Sequence, residues 1–220
     1  MNIHEAILAR HSVRSYLDRP IEPEKVAELQ KLINAVNAES GLHIQLKTDE
    51  PGGFTGVMAH YGSFGGVKNY IVMAGPKNAD QAIGYYGEKV VLAAQMLGLN
   101  TCWVALTFNK RKAVYDLADG EKLHVVIALG YGQTQGNPHT SKPITALSNV
   151  SADSPDWYKK GVEYALLAPT AVNQQKFYFA LDGDHVIAKA GSGFYTDMDL
   201  GIAMYHFDIG SDRDNFGYRR

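Results

Sequence analysis

Two short stretches far apart in the chain echo each other: Gly84-Tyr85-Tyr86-Gly87-Glu88 and Gly193-Phe194-Tyr195-Thr196-Asp197. Glycine, aromatic, tyrosine, any residue and acid recur in that order. In the same register Val91 meets Leu200 and Ala94 meets Ala203; Leu97 meets Phe207 after one slip. The strands placed before them, NYIVMAG and HVIAKAG, end alike. Each half then reads helix, strand, strand, long helix. A duplicated unit would place two related layers about a pseudo-two-fold axis with a cleft between them. Shared amphipathic patterning produces a similar register, and that explanation stays open beside duplication.

The rest of the chain is consistent with a packed domain. Its 220 residues are 45% hydrophobic and 20% charged, which is globular rather than disordered. The length suits one domain over 1–220, with halves at 1–150 and 151–220. A formal net charge of −2 gives no electrostatic case for nucleic acid or an anionic membrane surface. No run approaches the ~20 apolar residues of a membrane helix, and the start has no apolar core of signal-peptide length. A single cysteine, Cys102, excludes an internal disulfide and fits a reducing compartment, so a cytoplasmic protein is the expectation.

The elements follow from spacing. Residues 2–9 form a short helix, and Val26, Leu29, Leu32, Ile33 and Val36 carry helical spacing from Glu24. His43–Leu46 alternates weakly, as a strand does. Asn69–Ala74 is a strand of the buried type, and Ile83–Leu97 is a long, mostly apolar helix with Gly98 placed to cap it. Thr101–Leu106 is extended, Lys110–Leu117 is a short helix, and Leu123–Leu129 is a continuous apolar strand. A helix starts at Ser154-Pro155-Asp156. Lys176–Leu181 and His185–Ala190 are strands joined by an Asp182-Gly183 turn. Phe194–Phe207 is the last long helix, and the tail arginines Arg213, Arg219 and Arg220 are expected on a surface.

Two stretches carry chemistry. Arg10-His11-Ser12-Val13-Arg14-Ser15-Tyr16 sets two guanidiniums and a hydroxyl close together; if the turn stays helical, both guanidiniums face one side. Such a fork suits a phosphate. Ala168-Pro169-Thr170-Ala171-Val172-Asn173-Gln174-Gln175-Lys176-Phe177 is a helix stopped by proline, a neutral polar elbow and an aromatic strand. A ligand with a phosphate tail and an uncharged polar ring would use both. Between them, residues 47–67 interleave six glycines with Phe54, Met58, Tyr61 and Phe64, a cover for a flat ligand. The bland readings are an ordinary ion-pair site, a helix end feeding a strand, and a mobile loop.

Other chemistries lack their motifs. The eight histidines are scattered without zinc-site spacing, and there is no Gly-x-Ser-x-Gly elbow or Walker loop. Gly130-Tyr131-Gly132 fails as a dinucleotide fingerprint, because the third glycine is late and Asn137-Pro138 follows. Cys102 sits among residues of a buried thiol. The absence of an acid–base pair fits a cofactor that carries the chemistry.

The basic stretch RHSVRSY resembles the N-terminal signature of the FMN-dependent nitroreductase family, and APTAVNQQKFYF is similar to its Ala-Pro-Ser-Ala-x-Asn-x-Gln-Pro-Trp-x-Phe motif. LAAQMLGLNTCWVAL is similar to the family's long helix and flavin-facing exit. LHVVIALGYG followed by Lys142 is similar to its late strand and basic residue. The elbow motif lies in the second half, whereas usual members carry it soon after the first signature. That order suits a branch in which one chain imitates the usual dimer. Thr170 replaces serine, and Lys176-Phe177 replaces Pro-Trp.

The resemblance implies an α+β fold with a mixed, mainly antiparallel sheet flanked by helices. It implies FMN held at its phosphate and ribityl chain by Arg10, Ser12 and Arg14, with His11 beside them and Lys142 completing the anchor. Pro169, Thr170 and Asn173 would line the ring, with Gln175 nearby. The backbone at Ala105 and Leu106 would face flavin N5. Phe54, Tyr61 and Phe64 would cover the substrate side. The implied activity takes a hydride from NADH or NADPH onto FMN N5 and passes electrons to a small flat aromatic acceptor such as a nitroaromatic or quinone. It implies no catalytic side chain and no metal. The protein would be a monomeric pseudo-dimer or a homodimer. The alternatives are a flavin-binding protein without turnover and a flavin-remodelling enzyme on the same fold.

Overall fold

The computed structural model describes residues 1–213 and 217–219, with the side chains of Met58, Gly217 and Arg219 excluded. The chain forms two compact units. The first comprises Met1, Ala9–Ala79 and Val90–Pro138; the second comprises Asn2–Leu8, Asp80–Lys89 and His139–Arg220. The boundary near residue 138, and the two early segments that belong to the later unit, differ from halves at 1–150 and 151–220.

The first unit is built on a four-stranded antiparallel sheet. Helix α1 (Ile3–Ala9) ends at its entry, and α2 (Pro23–Ser40) leads into β1 (His43–Lys47). Pro23 starts α2 and Gly41, with φ 70°, ends it by donating its N–H to Asn37 O. The Asn37 side chain then exchanges both hydrogen bonds with Ile44, each 2.8 Å, fixing the turn into β1. The 3-10 turn Pro51–Phe54 and α3 (Val57–Tyr61) follow, then β2 (Asn69–Pro76). Helix α4 (Asp80–Met96) leads to β3 (Asn100–Val104) and β4 (Glu121–Gly130). Strand order is β1-β2-β4-β3. In the middle of the sheet Ile71 faces Ile127 and Val72 faces Val126, all fully buried. Both central strands are apolar without alternation because both of their faces are covered.

The second unit packs helices against a three-stranded sheet. Its elements are α1, the first part of α4, α5 (Ile144–Leu147), α6 (Asp156–Ala165), the 3-10 turn Ala171–Asn173, β5 (Phe177–Asp182), β6 (His185–Ala190), α7 (Thr196–Ser211) and β7 (Gly217–Arg219). β5 and β6 form an antiparallel hairpin, and β7 joins β6 in parallel. Gly161 and Gly210 let α6 lie against α7, under the Phe207 ring and the Tyr164 side chain. Phe207 stacks on Phe179 at 4.9 Å, and the buried Tyr158 hydroxyl shares its single proton between Asn149 Oδ1 and Phe179 O. Start of α4 and α7 cross on reciprocal glycines, Gly84 at Met198 and Gly201 at Gln81. Beside that crossing His206 Nε2 lies 2.9 Å from Glu88 Oε1, and both side chains are fully buried.

Among the described residues there are seven α-helices and a mainly antiparallel sheet, the α+β class expected from the sequence. None of these helices is long and apolar enough to cross a membrane. Several local expectations change. The basic stretch is not helical: α1 stops at Ala9, and residues 12, 15 and 16 form extended bridges. Lys110–Leu117 is a turn and irregular chain rather than a helix. Its backbone is taken by distant groups: Val114 N bonds Tyr70 Oη, and Asp116 bonds the Gln45 amide through both N and O. The echoing stretches also differ in local structure. Gly84–Glu88 lies inside α4, whereas Gly193–Tyr195 precedes α7. The expected order helix, strand, strand, helix is met by α6-β5-β6-α7, whereas the 3-10 turn and α3 interrupt it between β1 and β2. Arg213 covers the Trp157 ring at 4.6 Å, and Arg220 lies outside the described residues.

Candidate functional site

In the first unit the basic stretch runs alongside β3. Ser12 bridges Thr101 in parallel, Val13 N donates to Thr101 O at 3.0 Å, and Tyr16 N donates to Gly65 O at 2.9 Å. Along the stretch Arg10, Val13 and Tyr16 are buried, Ser12 is partly buried and Arg14 is exposed. The fork expected from a helical turn is therefore replaced by an irregular chain with isolated bridges at 12, 15 and 16. Glycine is required around this segment. A Cβ at Gly66 would be driven into the Tyr16 carbonyl oxygen, and one at Gly130 would sit 3.0 Å from the Tyr16 ring. The Gly130-Tyr131-Gly132 run thus serves close packing against the basic stretch. Tyr16 is buried, its hydroxyl donates to Val13 O at 2.7 Å, and burial pushes its pKa well up.

The three polar side chains converge electrostatically on Cys102. Burial pushes this thiol up from its ordinary value; the Arg14 charge, a hydrogen bond from Ser12 and the Arg10 charge oppose that rise. Arg10 is itself 4% exposed, whereas Arg14 is exposed. A place where two guanidiniums and a hydroxyl all favour negative charge fits a phosphate. His11 is partly buried with its Cβ against Gly136. Cys102 is expected to resist thiol reagents at pH 8 until the chain is unfolded, since both access and ionisation are suppressed. Rapid labelling of the folded protein by a disulfide reagent would show the thiol to be open.

Ala105 and Leu106 follow directly on β3, and the Leu106 side chain is 68% exposed. In the glycine-rich segment Phe54 is a core residue, packed on Phe64 at 5.2 Å and on Tyr70. Tyr61 is 82% exposed. Of the three aromatics proposed to cover a substrate, Phe54 and Phe64 support the segment and Tyr61 is the open one.

The elbow in the second unit is left-handed at three non-glycine positions, Val172 (φ 46°), Asn173 (φ 55°) and Gln175 (φ 45°). Such residues are strained, Val most of all. The strain is held by a dense set of bonds. Gln175 is 2% exposed; its Oε1 accepts from Lys142 N at 2.7 Å, and its Nε2 donates to Thr140 O and Asn173 Oδ1. Asn173 Nδ2 also donates to Thr140 O, and Thr170 Oγ1 accepts from Gln175 N. Lys142 Nζ donates to the carbonyls of Gln174 and Gln175 at 2.7 and 3.1 Å. Asn173, Gln175 and Lys142 therefore act on the elbow itself. The 83% exposed Val172 is what it turns outward, beside the partly buried Pro169 and Thr170.

One residue here escaped the sequence. Asp199 on α7 accepts from Ala171 N with Oδ1 and from Gln174 Nε2 with Oδ2, at 2.9 and 2.7 Å. In sequence it is one of two acids in the first turn of a helix, where a macrodipole role explains it fully.

The family model described as "Putative TM nitroreductase" matches residues 2–211. A crystal structure of a "putative nitroreductase" from Thermotoga maritima is similar at 25% identity, covering 96% of this chain and 83% of that one, with a TM-score of 0.70. Two further structures share the fold at a TM-score of 0.51: a nitroreductase family protein from Streptococcus pneumoniae (12% identity, 66% of this chain and 98% of that one) and a nitroreductase from B. subtilis (14%, 70% and 74%). No curated protein matches the chain. With the match running over nearly its whole length, the chain belongs to the nitroreductase-like family of that model, a family of oxidoreductases.

Proposed function

We propose that the protein is an FMN-dependent oxidoreductase that passes reducing equivalents from NAD(P)H to a flat acceptor such as a nitroaromatic or quinone. The observation that carries this reading is the family match over residues 2–211, supported by Arg10, Ser12 and Arg14 all acting to lower the pKa of the neighbouring Cys102 thiol. When bound, FMN would supply the redox chemistry between the nicotinamide donor and the acceptor. The chain's own residues bind and orient. Arg10 and Arg14 neutralise the phosphate, Ser12 donates to it, and His11 flanks it. Main-chain groups at Ala105 and Leu106 present hydrogen-bonding atoms to the ring edge. Tyr61 and Leu106 offer exposed apolar surface to an aromatic acceptor. The elbow at Pro169 and Thr170, braced by Asn173, Gln175 and Lys142, is a separate neutral polar surface of the second unit. No side chain is assigned a proton-transfer step.

The purified protein is expected to retain about one flavin per chain after FMN addition and gel filtration. Stopped-flow mixing with NADH or NADPH should then bleach the flavin band, and an added quinone should restore it. Retained flavin that never bleaches would make the protein a binder without turnover. Loss of the flavin spectrum to a new product would indicate flavin remodelling. A protein that takes up no FMN at micromolar concentration would overturn the reading.

A further inference from the structure

The chain leaving β3 reaches a turn with three adjacent cations, Lys110-Arg111-Lys112, all of them exposed. The base of this turn is held from both sides. Asn109 N donates to Gly53 O at 2.7 Å and Asn109 Nδ2 to Thr55 O at 3.2 Å, while Asn109 O accepts from Lys112 N and Ala113 N. Gly52 lies on the Lys112 carbonyl, where a Cβ would come within 2.8 Å, and Val114 N bonds Tyr70 Oη. Three long cationic side chains thus stand in water on a fixed backbone.

Their charge is not balanced locally. No Asp or Glu occurs from Pro51 to Ala79 or from Thr101 to Tyr115, the two segments that meet here. The next acid along the chain, Asp116, lies 3.5 Å from Lys47. Elsewhere in the first unit Arg19 and Lys25 pair with Glu22, and Lys68 pairs with Asp18. Among the described residues no carboxylate pairs with Lys110, Arg111 or Lys112. The chain as a whole is acidic, at −2, so this gap is local. A run of like charges repels itself until a counter-charge arrives.

The surroundings say which anion fits. Ala105 and Leu106, which are assigned to the flavin-ring edge, open the same loop. Gly62, next to the exposed Tyr61, lies on Thr107, where a Cβ would come within 2.5 Å. All of these residues belong to the first unit. Five residues separate Leu106 from Arg111, a span of at most about 17 Å. A hydride donor whose nicotinamide meets the flavin near Leu106 lays the rest of its length over this surface. Both nicotinamide donors carry a pyrophosphate. Only NADPH adds a phosphate monoester, a compact group of nearly two negative charges, on the adenosine 2′ oxygen.

We propose that Lys110, Arg111 and Lys112 form a phosphate site that takes the 2′-phosphate of NADPH and makes NADPH the preferred donor. The inference rests on the reading of the first unit as an FMN-dependent oxidoreductase. Arg111 offers a planar fork to two phosphate oxygens, and the flanking lysines add point charges. Tyr61 and Leu106 offer apolar surface at the nicotinamide end.

The test uses two nucleotides that differ only in that phosphate, adenosine 2′,5′-bisphosphate and adenosine 5′-monophosphate. Their binding is measured by titration calorimetry, with and without FMN. The proteins are wild type, the triple variant Lys110→Ala/Arg111→Ala/Lys112→Ala, and Lys77→Ala, an exposed cation beyond the far end of β2. Every substituted side chain is exposed, and circular dichroism checks that each variant is folded. Wild type should bind the bisphosphate about tenfold more tightly, the summed weight of a few exposed charge contacts. That contrast should fade in about 1 M salt. The triple variant should lose it and Lys77→Ala should keep it. With a quinone acceptor, the ratio of kcat/KM for NADPH to that for NADH should fall about tenfold in the triple variant.

Equal binding of the two nucleotides by wild type would overturn the proposal, as would a triple variant that keeps the contrast. A triple variant that raises KM for a quinone sulfonate and leaves the donor ratio alone would assign the cations to the acceptor and overturn it too. A nucleotide contrast in a protein that takes up no FMN would keep the phosphate site and overturn the flavin reading. Flavin bleached equally well by NADH and NADPH, with no nucleotide contrast, would do the reverse.

Discussion

Arg14→Ala is expected to weaken FMN binding about tenfold to a hundredfold, the weight of a charge-assisted hydrogen-bonded contact, and to leave riboflavin binding unchanged. The contrast isolates the phosphate, since riboflavin differs from FMN only there. Arg14 is suited to the test because it is exposed and its neighbours Val13 and Tyr16, not Arg14, fill the core. Arg10 is less suited: it is buried, and its removal mixes folding with binding. Arg213→Ala serves as the control, since that guanidinium covers the Trp157 ring in the second unit. Raising salt should reduce wild-type FMN affinity more than that of the variant. Equal affinities of the wild type for FMN and riboflavin would remove the phosphate anchor from the account.

Gly201→Ala is expected to destabilise the second unit by about 3 kcal/mol or more. A Cβ there would be driven into the Gln81 carbonyl oxygen and would lie 2.8 Å from Tyr85 N. Both obstacles are backbone, so relief requires moving a helix. At the same crossing Gly84 meets the Met198 carbonyl, so the two helices touch from both sides. Separating them also strains the buried Glu88–His206 pair, whose partners have no access to water. Thermal unfolding should show a melting temperature lower by about 10 °C, or no cooperative transition at all. Gly41→Ala provides the scale: it has φ 70° but open space, so it carries backbone strain alone, about 1 kcal/mol. A Gly201 variant no worse than the Gly41 variant would show that the helices do not approach so closely.

The parts of the fold that the sequence displayed are those set by local pattern. Asn69–Ala74 and Leu123–Leu129 became the two central strands because an unbroken apolar run has few other places to go. The hairpin over Asp182-Gly183 follows from the backbone requirements of its turn residues. Lys110–Leu117 failed for the opposite reason. The expected short helix was outweighed by hydrogen bonds to Tyr70 and Gln45, residues far away in the chain. The basic stretch was recognised by its residue types, yet its shape depended on pairing with Thr101 and Gly65 that no local signal announces. Val172, Asn173 and Gln175 gave no hint of left-handed backbone, since none is glycine. Asp199 was hidden because a clasp between a helix and a loop is a property of the assembled unit.

The division of the chain has a consequence for its synthesis. All residues of the first unit have left the ribosome once Pro138 has emerged, so that unit can fold while the rest is being made. The second unit cannot. Its segments Asn2–Leu8 and Asp80–Lys89 are made early and must wait for His139 onward. The crossing at Gly84 and the Glu88–His206 contact thus cannot form until α7, carrying Met198 and His206, is complete. A nascent chain stalled before residue 196 would present that waiting segment to chaperones, and a fragment beginning at residue 139 would lack it altogether.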